Sequence, residues 1–368
     1  MKEFIYHGKS ALGYAKEAVD MMMHKWEAKE LPPKGHFHYH QGVFLSGVEK
    51  TYELCGNEAY YQYIKDWVDS LIQDDGTISS LDPGELDDIQ AGILVYFLFY
   101  KTGEKKYRDA LEKIYHMLQK FPRNNVGGLW HKVKCAEQMW LDGLYMAGPI
   151  STQCAKVFQD MKMRDDVVFQ AQLMREKTRD TQTGLWYHAW DSIKKQPWAD
   201  QVTGCSSEFW GRSMGWVPVA LLEDTDFFPA EYRGTEIFAE MVKELITTIV
   251  KYQDVESGLW YQVLDKGSNE GNWLESSCTC LFVSAICKAV RKGYVDRQYL
   301  TYAKKGYQGI IDRLRYDNNG VIIDNICVGT GVCDYRNYCE RPTSENDLHG
   351  VGAYLLMCTE AHRVLEND

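Results

Sequence analysis

Asp180-Thr181-Gln182-Thr183-Gly184-Leu185-Trp186 returns seventy-four residues later as Asp254-Val255-Glu256-Ser257-Gly258-Leu259-Trp260. An acidic or amide residue, a short polar turn, a glycine and an apolar or aromatic pair occur again at Asp74 to Ile78, Asn124 to Trp130 and Asp317 to Ile322. The glycines of this pattern, Gly76, Gly128, Gly184, Gly258 and Gly320, follow one another at intervals of 52, 56, 74 and 62 residues. Each interval holds a pair of helices with their turns, and a period of that size decides the architecture before any local signal does.

After each turn comes a second recurring element, in which polar or aromatic residues lead into small ones and then into an apolar run. It begins near His38-Tyr39-His40-Gln41-Gly42, Asp87-Asp88-Ile89-Gln90-Ala91-Gly92, Trp140-Leu141-Asp142-Gly143, Trp210-Gly211-Arg212-Ser213-Met214-Gly215, Trp273-Leu274-Glu275-Ser276-Ser277 and Asp347-Leu348-His349-Gly350. Six starts predict six helical hairpins. The runs that follow, such as Gly92 to Leu98, are apolar on nearly every face, as befits helices surrounded by others. Those between, such as Lys105 to Lys120 and Thr235 to Tyr252, carry one charged face. The expected fold is all-α, an (α/α)6 double-ring helical barrel, with the polar starts of the inner helices meeting at one end. Small residues there would allow close packing. No Pro-, Ser- or Gly-rich linker interrupts the repeat, so residues 1–368 read as a single domain whose first hairpin ends near residue 55. Leu185-Trp186-Tyr187 and Leu259-Trp260-Tyr261 are expected as small hairpins or extended loops, too few for a sheet.

A net charge of -11 without any lysine or arginine block leaves nothing to neutralise nucleic-acid phosphates. The longest apolar stretch, Ile89 to Tyr100, is broken by Gln90 and falls short of the roughly 20 residues of a membrane helix. Met1-Lys2-Glu3-Phe4 enters an amphipathic pattern without the marks of a secretory signal, so a cytoplasmic location is expected, as a monomer or weak homodimer. Eleven scattered cysteines predict reduced, mostly buried thiols. Aromatic residues make up 13% of the chain, which suits either sugar stacking or core filling.

Convergence of the six inner starts would bring together Asp87 or Asp88, Asp142, Arg212, Glu275 and several histidines. Asp142 stands in Met139-Trp140-Leu141-Asp142-Gly143-Leu144-Tyr145, where desolvation should raise a carboxyl pKa and keep a general acid protonated. A helix-terminal cap is the competing reading of the same residue. Asp87 and Asp88 lie about 100 degrees apart on a helix, so only one can face the axis. Carboxylates from different hairpins could act as acid and partner on a glycosidic bond, with Glu275 ranked third. Trp140, Trp210, Trp216 and Tyr39 could stack on sugar rings or fill the core. Arg212, set among Trp210, Met214 and Trp216, calls for an anionic partner, either a protein carboxylate or a ligand. His36, His38 and His40, or Cys278 and Cys280, do not follow zinc spacings, and no phosphate loop or dinucleotide fingerprint is present. Neither a metal nor a cofactor is expected.

On Leu86-Asp87-Asp88-Ile89, Met139 to Pro149, Gly184-Leu185-Trp186-Tyr187-His188-Ala189-Trp190-Asp191 and Trp210-Gly211-Arg212-Ser213-Met214-Gly215-Trp216, the chain resembles glycoside hydrolase family 105, the unsaturated rhamnogalacturonyl hydrolases. The resemblance runs over nearly the whole length and implies a metal-free reaction on a pectin-derived oligosaccharide. Its terminal uronic acid carries a C4=C5 double bond left by a polysaccharide lyase. It implies that Asp142 protonates C4 and then helps water to attack C5, so that the resulting hemiketal releases the next sugar. It further implies that Arg212 and Lys132 hold the uronate carboxylate, that Asp88 and His188 bond ring hydroxyls or the water, and that Trp140, Trp210 and Trp216 shape the sugar slot. His131 and the pair Tyr39 and His40 complete the expected substrate-binding set. Two other enzyme readings share the barrel. One is an unsaturated glucuronyl hydrolase acting on glycosaminoglycan fragments; the other is a sugar 2-epimerase using His188 and His349. A non-catalytic binding protein is the third alternative.

Overall fold

The computed structural model describes residues 3–365. The recurring turns are built by their first residue: Asp180 accepts hydrogen bonds from the Thr183 amide and hydroxyl, and Asp254 does the same for Ser257. Asn124 and Asp317 accept from backbone amides in the same way, and in the first turn Asp75 does so for Thr77, which explains the Asp or Asn of the pattern. The glycine follows because the next residue needs a left-handed conformation, with φ of 78° at Gly184 and 75° at Gly258. At the second turn this position is Gly127 (φ 89°), one residue before the Gly128 of the sequence pattern.

Between the turns lie the helices α1 (Ala11–Lys25), α2 (Tyr39–Cys55), α3 (Glu58–Asp69), α4 (Gly92–Thr102), α5 (Lys105–Lys120), α6 (Asp142–Phe158), α7 (Met161–Thr178), α8 (Gly211–Asp224), α9 (Arg233–Ile249), α10 (Ser276–Arg291), α11 (Leu300–Ile311) and α12 (Leu348–Val364). Two shorter helical segments, Leu86–Ile89 and Tyr335–Cys339, sit in loops. The even-numbered helices form a closed inner ring, each packing on the next and α12 returning to α2, while the odd-numbered ones pack outside it. This is the (α/α)6 barrel that six starts imply.

Burial separates the rings. Every residue of α10 from Ser276 to Val290 is buried, whereas α5 buries only Tyr107, Ala110, Leu111, Ile114 and Leu118, a stripe at helical spacing. Glycine sets the approach of inner neighbours: a Cβ on Gly352 of α12 would lie 2.4 Å from the Val43 carbonyl oxygen of α2, and one on Gly42 would lie 3.0 Å from Ala91 Cα. One apolar cluster runs from Phe4 to Leu365. All eleven cysteines are unbridged, and among the described residues no helix is long and apolar enough to cross a membrane.

Strands among the described residues form five antiparallel two-stranded pairs. Trp260–Tyr261 pairs with Leu274–Glu275, as its sequence suggests. Leu185 to Tyr187 does not form such a strand; Trp186 makes a single bridge to Arg179, and the strand lies beyond it at Ala189–Asp191, paired with Gln138–Trp140. The two pairs sit where inner helices begin, and the second one brings His188 beside Asp142. Because the connecting outer helices run the opposite way, all six inner helices point in one direction. Their amino-terminal ends, each with a partial positive charge, gather at one mouth of the barrel.

Candidate active site

At that mouth lies a cavity of about 330 Å³ lined by His38, Tyr39, His40, Asp87, His131, Lys132, Trp140, Asp142, Met146, Trp210, Arg212, Trp216 and the loop residues Gly329, Thr330 and Gly331. Asp142 is the first residue of α6 and is buried. In the strand pair, Trp140 stands opposite Ala189, and the Leu141 amide donates to the His188 carbonyl at 2.9 Å. This register holds His188 Nε2 3.0 Å from Asp142 Oδ2, while His188 Nδ1 lies 2.5 Å from the Tyr338 hydroxyl. With the phenol donating to Nδ1, Nε2 is the nitrogen that carries the hydrogen and donates to the carboxylate. The tautomer is assigned from these partners.

That chain corrects the charge state expected of Asp142. Burial does push its carboxyl pKa up, but the His188 hydrogen bond, with the electrostatic influence of His188, His131 and Arg212 around it, outweighs burial and leaves the group below the ordinary carboxylate range. The position at a helix amino terminus acts in the same direction. Asp142 is therefore an oriented carboxylate.

The neighbouring acids divide differently from the expectation. Asp87 lines the cavity, whereas Asp88 turns to the preceding loop, where its Oδ2 accepts from the Asp82 amide at 2.8 Å. Burial raises the Asp88 carboxyl to about 6. Asp87 is bound to Lys132 (2.6 Å), which also reaches Glu85 (3.0 Å), and lies 3.5 Å from His131. Lys132 is thus neutralised by protein carboxylates. Glu275 is also outside the cavity wall: it caps α10 through the Cys278 amide and accepts from the Cys327 amide at 2.9 Å, tying the last long loop to the ring. His188 is fully buried, bonds Asp142 and is not part of the cavity lining.

Arg212 is buried, packs its guanidinium 4.5 Å from the Trp210 ring centre and donates to the carbonyls of Cys327 and Val328. Among the described residues no carboxylate bonds it directly; two carbonyl oxygens take two of its five N–H groups, and three remain. Trp140 stacks on His131 at 4.4 Å, and Trp216 on Tyr145 at 4.5 Å. The three tryptophans therefore both pack against the protein and line the cavity.

A Glycosyl Hydrolase Family 88 profile matches residues 14–365. A glycoside hydrolase from family 105 of C. acetobutylicum ATCC 824 superposes with a TM-score of 0.91 at 32% identity, over 95% of this chain and 99% of that one. The chain belongs to glycoside hydrolase family 88/105. Unsaturated rhamnogalacturonyl hydrolase YesR of Bacillus subtilis (strain 168) is 29% identical over 297 residues, 79% of either chain. An unsaturated glucuronyl hydrolase of Bacillus sp. GL1, responsible for the degradation of glycosaminoglycan, shares the fold with a TM-score of 0.70 at 14% identity, each chain covered to 94%.

For a family 88/105 hydrolase the structure adds residues that the pattern of inner starts does not contain. Tyr338 lies in the segment between Ile326 and Leu348, which has no helical or alternating periodicity, and it meets His188 across 150 residues of sequence. Gly329, Thr330 and Gly331 come from the same segment, and Met146 lies one helical turn after Asp142. His38 was visible as part of the alternating histidines, and its side chain caps α2 while also lining the cavity.

Proposed function

We propose that this chain removes the terminal 4,5-unsaturated uronic acid from lyase-generated pectin or rhamnogalacturonan oligosaccharides, by acid-catalysed hydration of the C4=C5 enol ether. The observation that carries the reading is the buried Asp142, oriented by His188 on a cavity wall that also holds Arg212 and three tryptophans. Asp142 protonates C4, and the positive charge that develops at C5 is shared with the ring oxygen. Water then adds to C5 as the regenerated carboxylate accepts its proton; collapse of the hemiketal opens the ring to a C5 ketone and leaves C1 as a hemiacetal, whose breakdown to the aldehyde releases the next sugar. Such a sequence needs one group that is first acid and then base.

The ionised resting state of Asp142 fits this cycle if substrate supplies the shift. A uronate carboxylate about 6 Å away, at an effective dielectric constant near 20, repels the Asp142 charge by about 3 kcal/mol, roughly a hundredfold in its ionisation constant. Exclusion of water by the sugar acts in the same direction. The remaining N–H groups of Arg212 would fix the uronate and temper that repulsion, so binding and protonation are linked.

A pectin fragment suits the wall better than a sulfated glycosaminoglycan. The Lys132 ammonium is already bonded to Asp87 and Glu85, and Arg212 spends two N–H groups on carbonyls, which leaves little cationic capacity for a sulfate. The pair that a 2-epimerase would need, His188 and His349, is fully buried and engaged with Asp142, Tyr338 and the Cys327 carbonyl. The test follows ultraviolet absorbance of the enol ether with unsaturated disaccharides that differ in the second sugar. We expect loss of absorbance with a rhamnose neighbour, at a rate lowered by several orders of magnitude in Asp142→Asn. No decrease with any lyase product would overturn the proposal, and an Asp142→Asn variant that turns over like its parent would overturn the role of that residue.

A further inference from the structure

Beside the cavity, three potential ligand atoms from α2 and the start of α12 face one another. His40, Asp347 and His349 each offer one such atom, all within 4.8 Å of one another. His349 Nδ1 lies 2.9 Å from Asp347 Oδ1, and His40 Nε2 lies 3.8 Å from the same oxygen. Ligands at about 2.0–2.1 Å from a tetrahedral ion stand about 3.3 Å apart, so these separations bracket what an ion would impose.

The outer hydrogen bonds of the two rings point their lone pairs inward. His349 Nε2 is 3.1 Å from the Cys327 carbonyl oxygen, a contact only an N–H can make favourable. That contact leaves Nδ1 as the nitrogen that faces the Asp347 carboxylate. His38 Nδ1 accepts from the His40 amide and lies 3.0 Å from His40 Nδ1, so the hydrogen between the rings belongs to His40. That leaves the lone pair of His40 on Nε2, again facing Asp347. Metal-binding histidines are held in this way, with the far nitrogen donating to a carbonyl or another acceptor.

Asp347 strengthens the case by what it forgoes. It stands at the N-cap of α12, where an aspartate ordinarily accepts from the first-turn amides, yet its side chain makes no capping bond and turns to the histidines. His349 Nδ1 is buried without a well-aligned hydrogen-bond partner. Two imidazole nitrogens and one carboxylate oxygen therefore converge on one point.

We propose that His40, Asp347 and His349 form a site for a divalent transition-metal ion of the zinc or cobalt class, with open coordination positions on the cavity side. Two imidazoles and one carboxylate select such an ion over magnesium or calcium, which prefer oxygen. Since His40 also lines the cavity, the bound ion would narrow it; binding itself is independent of the hydrolase reading.

The experiment is calorimetric titration of chelator-stripped, untagged protein with zinc chloride, and visible spectroscopy with cobalt chloride. We expect one ion per chain, a cobalt spectrum without a thiolate charge-transfer band, and affinity weakened by more than about 100-fold in Asp347→Asn and in His40→Gln. The asparagine amide can donate to His349 Nδ1, so that variant should remain folded, and circular dichroism checks it. Absence of binding to the parent, undiminished binding in both folded variants, or a thiolate band would each overturn the site. In those cases the cluster is an ordinary hydrogen-bonded group of the wall.

Discussion

Replacing His188 by leucine, which has a similar volume and no donor, isolates what the His188–Asp142 bond does. The bond is 3.0 Å long, buried and made to a carboxylate. Hydrogen bonds to charged groups contribute about 1.5–3 kcal/mol, so its loss should make Asp142 roughly a ten- to hundredfold weaker acid. The sign follows from the balance at the residue: burial raises its pKa, and the largest opposing influence is this bond. With that bond gone, Asp142 holds its proton to higher pH. Under the proposed chemistry the alkaline limb of kcat reports ionisation of the acid in the substrate complex, and it should move upward. The plateau should fall, because the carboxyl group loses its orientation. The assay is the pH dependence of kcat for the parent and His188→Leu on one unsaturated disaccharide, with thermal melting to establish folding. An alkaline limb that stays in place or moves down would refute the assignment of His188 as the residue that sets the charge of Asp142.

Asp88→Asn tests the acid that faces away from the cavity: its folded pKa of about 6 lies above the unfolded value, so its contribution to stability is complete below about pH 4 and is lost as pH rises through 6. The shift corresponds to about 3 kcal/mol, and allowing for partial solvation we expect the neutral amide to stabilise by about 1.5 kcal/mol at pH 7.5, roughly 2 °C in Tm, with no gain at pH 4; an equal gain at both would refute it. Tyr338→Phe removes the donor that selects the His188 tautomer and should lower kcat roughly tenfold with little change in KM, whereas unchanged kcat would count against the relay. Arg212→Lys cannot bond both loop carbonyls and a planar carboxylate, and kcat/KM should fall roughly 100-fold; an undiminished value for a uronide would deny Arg212 its role.

The barrel was legible because its information is local and repeated. Asp180 and Asp254 close turns within three residues, and the apolar character of α10 or α4 shows without knowledge of any partner. The same is true of the six inner starts, which brought Tyr39, His40, Trp140, Asp142, Trp210, Arg212 and Trp216 to one mouth. The side chosen by Asp87 and Asp88 was not legible, since a short helical segment over Leu86–Ile89 sets the facing through its contacts with the loops around Asp82 and Lys132.

The ionisation of Asp142 was hidden for a different reason. Its sequence neighbours are apolar and argue for a raised pKa, but the opposing groups arrive from elsewhere: His188 from the strand partner, His131 from the preceding turn and Arg212 from the next inner helix, with Tyr338 of a distant loop bonding His188 in turn. A carboxylate has the same local sequence whether or not those partners arrive. The tertiary arrangement decides between a permanently protonated acid and one loaded on demand, and here six parallel helix ends and a donating histidine favour the second. An enzyme built this way ties its proton to occupancy of the cavity by an anion. It should therefore hold its acid charged when empty and discriminate against uncharged sugars in kcat as well as in KM, because a neutral pyranose in the same slot brings no charge to raise the Asp142 pKa.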